Sequence, residues 1–167
     1  MALPSNLTVL DVGTGTGALA AVLAERGHAV TGIDTAERLL HRAARRLPQV
    51  TFEVRDVVDL PAWPSQSFDV VAFAHVLHGL PPSLRQLALS AAGRIARRGV
   101  LVIDYGAVPP WYVRLVERLE GPHYRSYVAQ PFVMLAASTG FEVERAVPLP
   151  PASACWLLHR PRSVGFA

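Results

Sequence analysis

Apolar residues follow one another along this chain in two alternating rhythms. Thr8 to Asp11, Ala29 to Asp34, Thr51 to Val54, Phe68 to Ala74 and Gly99 to Tyr105 are short runs rich in valine and isoleucine. Runs of that length with little polar alternation read as strands buried on both faces. Between them, apolar positions return at helical spacing. Leu19, Val22 and Leu23 lead to Arg26, and Gly27 supplies the stop. Leu40, Ala43, Ala44 and Leu47 form the next face, with Thr35 as the predicted cap and Pro48 as the end. Leu84, Leu87, Ala91 and Ile95 lie inward on a helix predicted over Ser83 to Arg97. Strands alternating with helices imply right-handed βαβ units and a parallel sheet. Val57 to Gln66, with Pro61 and Pro64, reads as a loop.

Beyond Tyr105 the rhythm changes. Pro109 to Leu119 predicts a helix, with Trp111, Leu115 and Leu119 at four-residue spacing. Gly121-Pro122-His123-Tyr124 predicts a break, and Tyr127 to Ser138 a helix kinked near Pro131. Strand six starts at Gly140-Phe141 and runs to about Val147. Strand seven covers Ala152 to Arg160, after a turn at Pro148, Pro150 and Pro151. Two strands with no helix between them imply an antiparallel hairpin at the sheet edge. The expected fold is α/β: a seven-stranded, mostly parallel sheet with an antiparallel last strand and helices on both faces.

Composition narrows the class. A chain of 167 residues, 51% apolar, forms one domain with a substantial core. Only 17% of residues are charged, against about 25% in a typical domain. Two readings share that deficit: a shared or greasy surface, such as a dimer face, or a hydrophobic-rich monomer. The net charge of +3 comes entirely from arginine, spread from Arg26 to Arg162, and Arg38, Arg42, Arg45 and Arg46 read as one solvated helix face. That pattern lacks the one-sided basic patch of a nucleic-acid binder. The single Cys155 excludes an internal disulfide and a multi-cysteine metal site, and no metal is expected. Met1-Ala2-Leu3-Pro4 lacks the features of a signal peptide. The longest uncharged stretch, Ser126 to Phe141, contains Pro131 and is too short to span a bilayer. The expected location is the cytoplasm.

The chemistry concentrates at Val9-Leu10-Asp11-Val12-Gly13-Thr14-Gly15-Thr16-Gly17, where a strand meets a helix through alternate glycines. Glycine allows positive φ and close approach of a ligand to the main chain. The N–H groups that open the following helix face that ligand. With Ala18 the same residues also fit Gly-x-Gly-x-x-Ala, a nicotinamide dinucleotide fingerprint. Asp11 argues against that fit, because a diphosphate beside a carboxylate is repelled. Asp34, closing strand two, can accept both ribose hydroxyls of either cofactor. Asp56, after strand three, is placed to meet an adenine amine.

These residues carry a resemblance. The glycine stretch, Gly32-Ile33-Asp34, Arg55-Asp56-Val57, Ser67-Phe68-Asp69-Val70-Val71 and Arg97-Arg98-Gly99-Val100-Leu101-Val102 resemble the successive motifs of class I S-adenosylmethionine-dependent methyltransferases. The match is to the small-molecule branch called methyltransferase type 11, over residues 7 to 105. The resemblance implies a Rossmann-like fold with S-adenosylmethionine as cofactor. It implies that Gly13, Thr14, Gly15 and Gly17 surround the methionyl part, with Asp11 close by. Asp34 and Thr35 then serve the ribose, Asp56 and Val57 border the adenine, and Ala74 and His75 lie near the sulfonium.

For the acceptor half, His75 and His78 are the candidate bases. They follow strand four at the carboxyl edge, where ligands bind in open α/β sheets. Lining the pocket without chemistry is the bland reading of each. His123 and Tyr124 belong to a candidate lid, and Tyr105, Trp111 and Tyr112 are candidate walls, although helical spacing also suits Trp111 to the core. Asp69 reads as structural, Asp104 can face the site or the helix layer, and His28, His41 and His159 read as surface residues. No Asn-Pro-Pro-Tyr tetrapeptide follows strand four, where Ala74-His75-Val76-Leu77 stands instead. That departure disfavours methylation of nucleic-acid amines. The family's usual helices before strand one are not in this sequence, so a homodimer partner or another chain is expected to cover the acceptor site. The expected function is in-line methyl transfer to a small-molecule acceptor. The alternatives are a non-catalytic cofactor-binding module that needs a partner subunit, and an NAD-binding oxidoreductase.

Overall fold

In the computed structural model, residue 4 and residues 6–106, 122–149 and 152–161 are described. The strands are β1 (Thr8–Val12), β2 (Ala29–Asp34), β3 (Thr51–Val54), β4 (Phe68–Ala74), β5 (Ala96–Tyr105), β6 (Glu142–Leu149) and β7 (Ser153–His159). The helices are α1 (Ala18–Glu25), α2 (Glu37–Arg46), α3 (Pro82–Ile95), α4 (Pro122–Val128) and α5 (Phe132–Ser138). The sheet order is β3-β2-β1-β4-β5-β7-β6, with β7 antiparallel to both neighbours. The remaining pairs, β1 with β2 and β4, β2 with β3, and β4 with β5, are parallel. Their register aligns Val12 with Ile33 and Phe73, and Phe73 with Val102, so the carboxyl ends of these strands share one edge. The strand order reverses between β1 and β4, which makes a ligand crevice there.

The central strands are apolar on both faces because each face meets a different core. Leu10, Val12, Val71, Phe73, Val100, Val102, Trp156 and Leu158 pack with α3, α4 and α5. Val9, Val70 and Ala72 pack on the other face with Ala20 and Leu23 of α1. Leu40, Ala43 and Leu47 are buried as the helical pattern predicts, whereas Ala44 is exposed. On α1 only Leu23 of the predicted stripe is buried; Val22 is 42% exposed.

Several local expectations are corrected. Thr35 does not cap α2. Both positions ahead of that helix are organised by Asp34, whose Oδ1 accepts the Ala36 N–H at 2.8 Å. The helix predicted to Arg97 stops at Ile95, and Ala96, paired with Phe68, begins β5, where Arg97 and Arg98 flank Asp69. Its carboxylate accepts from the backbone N–H and hydroxyl of Thr8, both at 2.9 Å, and lies 3.6 and 3.5 Å from Arg97 and Arg98. The Thr8 N–H, helped by its hydroxyl and both arginines, holds Asp69 below the usual carboxylate range. The loop after Asp56 contains a 3-10 turn, Val57–Ala62, in which Asp56 and Asp59 cap reciprocally. Gly121–Tyr124 is no break from residue 122 onward: Pro122 opens α4 and carries His123 and Tyr124 into it. The kinked helix is instead two helices, since Pro131 sits extended ahead of α5. His28 is buried, and its Nδ1 accepts the Leu7 N–H. Trp111, Tyr112 and the predicted helix Pro109–Leu119 lie outside the described residues. No described helix is long and apolar enough to cross a membrane.

Gly99 fixes how closely β5 and β7 pair. A Cβ there would stand 2.6 Å from the Leu158 carbonyl oxygen. Backbone cannot move aside as a side chain can, so Gly99→Ala should lower stability by about 1–3 kcal/mol. Urea unfolding checks this, and an unchanged midpoint would show that the pair yields freely.

Candidate active site

The glycine turn is built by three left-handed residues. Gly13, Gly15 and Gly17 have φ of 69°, 54° and 79°. The Gly13 and Thr14 N–H groups both donate to the Ile33 carbonyl, which ties the turn to the end of β2. A Cβ on Gly13 would collide with the Val76 side chain, and one on Gly17 would lie 2.9 Å from Leu47. Beside Gly15 the space is open. The turn therefore packs tightly at both ends and leaves its middle accessible.

Asp34 joins this turn to the next one. Its Oδ2 accepts the Gly15 N–H at 2.8 Å while Oδ1 accepts the Ala36 N–H at 2.8 Å. Each carboxylate oxygen keeps a further lone pair for a hydroxyl donor. A cleft of about 290 Å³ opens here, lined by Gly13, Asp34, Thr35, Asp56, Val57 and His75 among others. Arg55 also borders it, but its guanidinium is bound to Glu53 at 2.7 Å and stacked on Trp63. The cleft is thus acidic. Two carboxylates and an open glycine, with the one guanidinium that borders the cleft among the described residues already paired, suit a cationic nucleoside and not a diphosphate.

Asp11 lies beneath the cleft and does not line it. It is fully buried, and its Oδ2 accepts the Thr14 hydroxyl at 2.6 Å. It lies near the start of α1, which Gly17 cannot cap with a side chain, and the Ala20 N–H there favours its charged form. Its Oδ1 has no partner. Burial pushes its pKa up to about 6, against the Thr14 and Ala20 hydrogen bonds, with the Asp34 charge adding to the rise. Thr14 and Gly17 are buried with it.

On the far side of the crevice, β4 ends in Ala74 and the chain turns sharply. His75 holds a positive φ of 56°, and its N–H donates to the Ile103 carbonyl at 2.7 Å. A left-handed non-glycine residue stores strain, which turns the exposed His75 ring toward the cleft it lines. The 3-10 turn Leu77–Gly79 follows and presents His78. His78 Nδ1 lies 2.7 Å from Oδ1 of Asp104, a carboxylate with no exposed side-chain surface. Asp104 also accepts the His78 and Tyr105 backbone N–H groups. A carboxylate only accepts, so Nδ1 donates to it, which leaves Nε2 as the ring nitrogen a general base would use. Ligand-type atoms of His75, His78 and Asp104 lie within 4.8 Å of one another. The shared proton already joins the tightest pair in that group.

Tyr105 sits edge-on to His75 and His78, with ring centroids 5.5 and 4.8 Å away. Tyr124 is fully buried behind Tyr105, so it backs the wall instead of forming its surface. His123 is half-buried beside it on α4.

Two residues that the sequence reading left open or passed over complete the arrangement. Asp104 interrupts the apolar period of Val100 and Val102, and that interruption was its signal. Arg85 falls on the buried stripe of α3 with Ala88, Leu89 and Ala92. It donates to the carbonyls of Leu77 and His123 and to the Ser126 hydroxyl. One buried cation thereby pins the His78 turn to α4. A charge at an otherwise apolar helical position was the available clue.

The raised pKa of Asp11 sets a sign. The folded state holds this proton more tightly than the unfolded chain, whose carboxyl titrates near 3.8. Its contribution to stability is therefore greatest below about pH 4 and declines as pH rises through about 6. Relative to Asp11→Asn, the wild type should lose about 3 kcal/mol between those limits. Urea unfolding at several pH values checks it, and parallel curves would contradict the assignment.

Comparison with known proteins agrees with this geometry. A family model described as a methyltransferase domain matches residues 9–99. The chain is 34% identical over 124 residues to 2-heptyl-1-hydroxyquinolin-4(1H)-one methyltransferase of Mycobacteroides abscessus, covering 69% of this chain and 51% of that protein. It is 33% identical over 131 residues to demethylmenaquinone methyltransferase of Tropheryma whipplei, covering 77% of this chain and 51% of that protein. The chain thus spans about half the length of the curated relatives it matches. A SAM-dependent methyltransferase of Methanosarcina mazei superimposes with a TM-score of 0.72 at 18% identity, over 93% of this chain and 92% of that one. With an acidic nucleoside cleft at the switch point of its sheet, this chain belongs to the class I S-adenosylmethionine-dependent methyltransferases.

Proposed function

We propose that this chain methylates a hydroxyl group on a small, flat aromatic acceptor, with His78 as general base and Asp104 as the residue that orients it. The observation that carries the reading is the 2.7 Å contact between a buried carboxylate and the His78 imidazole, whose ring lies 6.3 Å from that of His75 at the cleft. Asp34 and the Gly15 backbone hold the nucleoside, and Asp56 and Val57 border its base. Bound there, S-adenosylmethionine supplies an electrophilic methyl group on a sulfonium. The acceptor hydroxyl loses its proton to Nε2 of His78, and the imidazolium so formed is stabilised by Asp104. Positioning supplies most of the acceleration in such a displacement, and a base adds roughly 10²–10⁴. His75 and Tyr105 give the acceptor an aromatic edge to pack against. The names of the two relatives, one a hydroxyquinolone and one a quinone methyltransferase, support a flat ring as the acceptor class.

The test is turnover of a hydroxylated quinolone and a naphthol by the purified chain with S-adenosylmethionine. His78→Ala should lower kcat by roughly 10²–10⁴ and leave cofactor affinity unchanged. Asp104→Asn should reduce kcat while the protein stays folded. Full activity of His78→Ala would refute the base. Tight cofactor binding without turnover of any acceptor would favour the non-catalytic module.

A further inference from the structure

Arg85 is the largest fully buried side chain among the described residues, at 1% exposure. Its neighbours on the buried stripe of α3, Ala88, Leu89 and Ala92, are apolar. A methionine at that position would pack without taking a charge out of water. Among the described residues no carboxylate lies within ion-pair distance of the guanidinium. Packing therefore does not account for a cation here. The groups it holds do.

Those groups belong to the His78 turn and to α4. Nε donates to the Leu77 carbonyl at 2.9 Å. One terminal nitrogen donates to the His123 carbonyl and to the Ser126 hydroxyl, and stands 3.5 Å from the His78 carbonyl. The guanidinium also lies over the Tyr127 ring, 5.2 Å from its centroid. From the other side, Asp104 accepts the His78 backbone N–H at 3.2 Å and faces the ring Nδ1 at 2.7 Å. His78 is thus held between two buried charges of opposite sign, a carboxylate at its N–H and ring and a guanidinium at the carbonyl side of the turn. Asp104 sets how the imidazole is rotated. Where the turn itself sits, and with it Nε2, depends on Arg85, whose planar fork of donors fixes direction as well as distance.

We propose, on the reading of His78 as the general base, that Arg85 is a positioning residue for methyl transfer, which acts through His78 by holding its turn at a fixed place against α4. Displacement of a reacting group by about 1 Å can cost on the order of 10²-fold in rate. A lysine at this position keeps the charge but lacks the fork, so it cannot serve Leu77 and α4 together.

The test is a double-mutant cycle on kcat, with Arg85→Lys and Arg85→Met each made alone and with His78→Ala. Unfolding midpoints identify the folded variants, and Arg85→Lys carries the test if Arg85→Met does not fold. Each Arg85 change should lower kcat roughly 10- to 100-fold when His78 is present and less than about twofold when it is absent. S-adenosylmethionine affinity should stay unchanged throughout. Equal losses in both backgrounds, or no loss in either, overturn the proposal and leave the base reading standing. Full activity of His78→Ala alone refutes the base and the proposal with it. A second readout needs no acceptor. In NMR spectra of the histidine rings, Arg85→Lys should move the His78 signals and leave those of His41, exposed on α2, in place. Unmoved His78 signals overturn the proposal.

Discussion

The carboxylate of Asp34 is the constraint on which the site depends. It holds the Gly15 and Ala36 N–H groups at 2.8 Å each, so it fixes the glycine turn against the start of α2. Without it both loops at the switch point would lose their shared anchor. Because Asp34 accepts only backbone donors, its remaining lone pairs face the cleft and give that cleft its sign. Asp56 and the buried Asp11 add to the same sign, and the Arg55 guanidinium at the cleft border is paired with Glu53. An acidic cleft next to an open glycine discriminates between cofactors that a glycine fingerprint alone treats alike. The opposite wall is organised by the same device, a carboxylate on backbone donors, and there it is fully buried. Asp104 accepts from the His78 and Tyr105 N–H groups and then from the His78 ring.

Much of this was legible from residue pattern. β2, β3 and β4 fall where their apolar runs end, because a strand buried on both faces cannot tolerate polar interruption. The β6–β7 hairpin followed from the lack of a helix between two strands. Three of the misses come from contacts that no apolar pattern encodes, two of them between residues far apart in sequence. Asp69 pairs with Arg97 and Arg98 where the helical pattern would have run on. Asp34, not Thr35, organised the entry to α2. Arg85 bridged Leu77 and His123, residues 46 positions apart, and no local spacing predicts that. That Gly13, Asp34, Asp56 and His75 border one cleft was readable, because chain order places them at one sheet edge. Asp11 was readable as important, but its burial under the turn depends on how α1 packs. The partner of His78 needed the sheet register to be seen.

The central claim is that the cleft takes a cationic nucleoside through Asp34. Calorimetric titration of S-adenosylmethionine and of NAD, into the wild type and Asp34→Ala, tests it most directly. The account predicts one-to-one binding of S-adenosylmethionine, weakened roughly 10- to 100-fold in the variant by loss of charge-assisted hydrogen bonds, and no binding of NAD. Binding of NAD in preference, or equal S-adenosylmethionine affinity in both proteins, would contradict it.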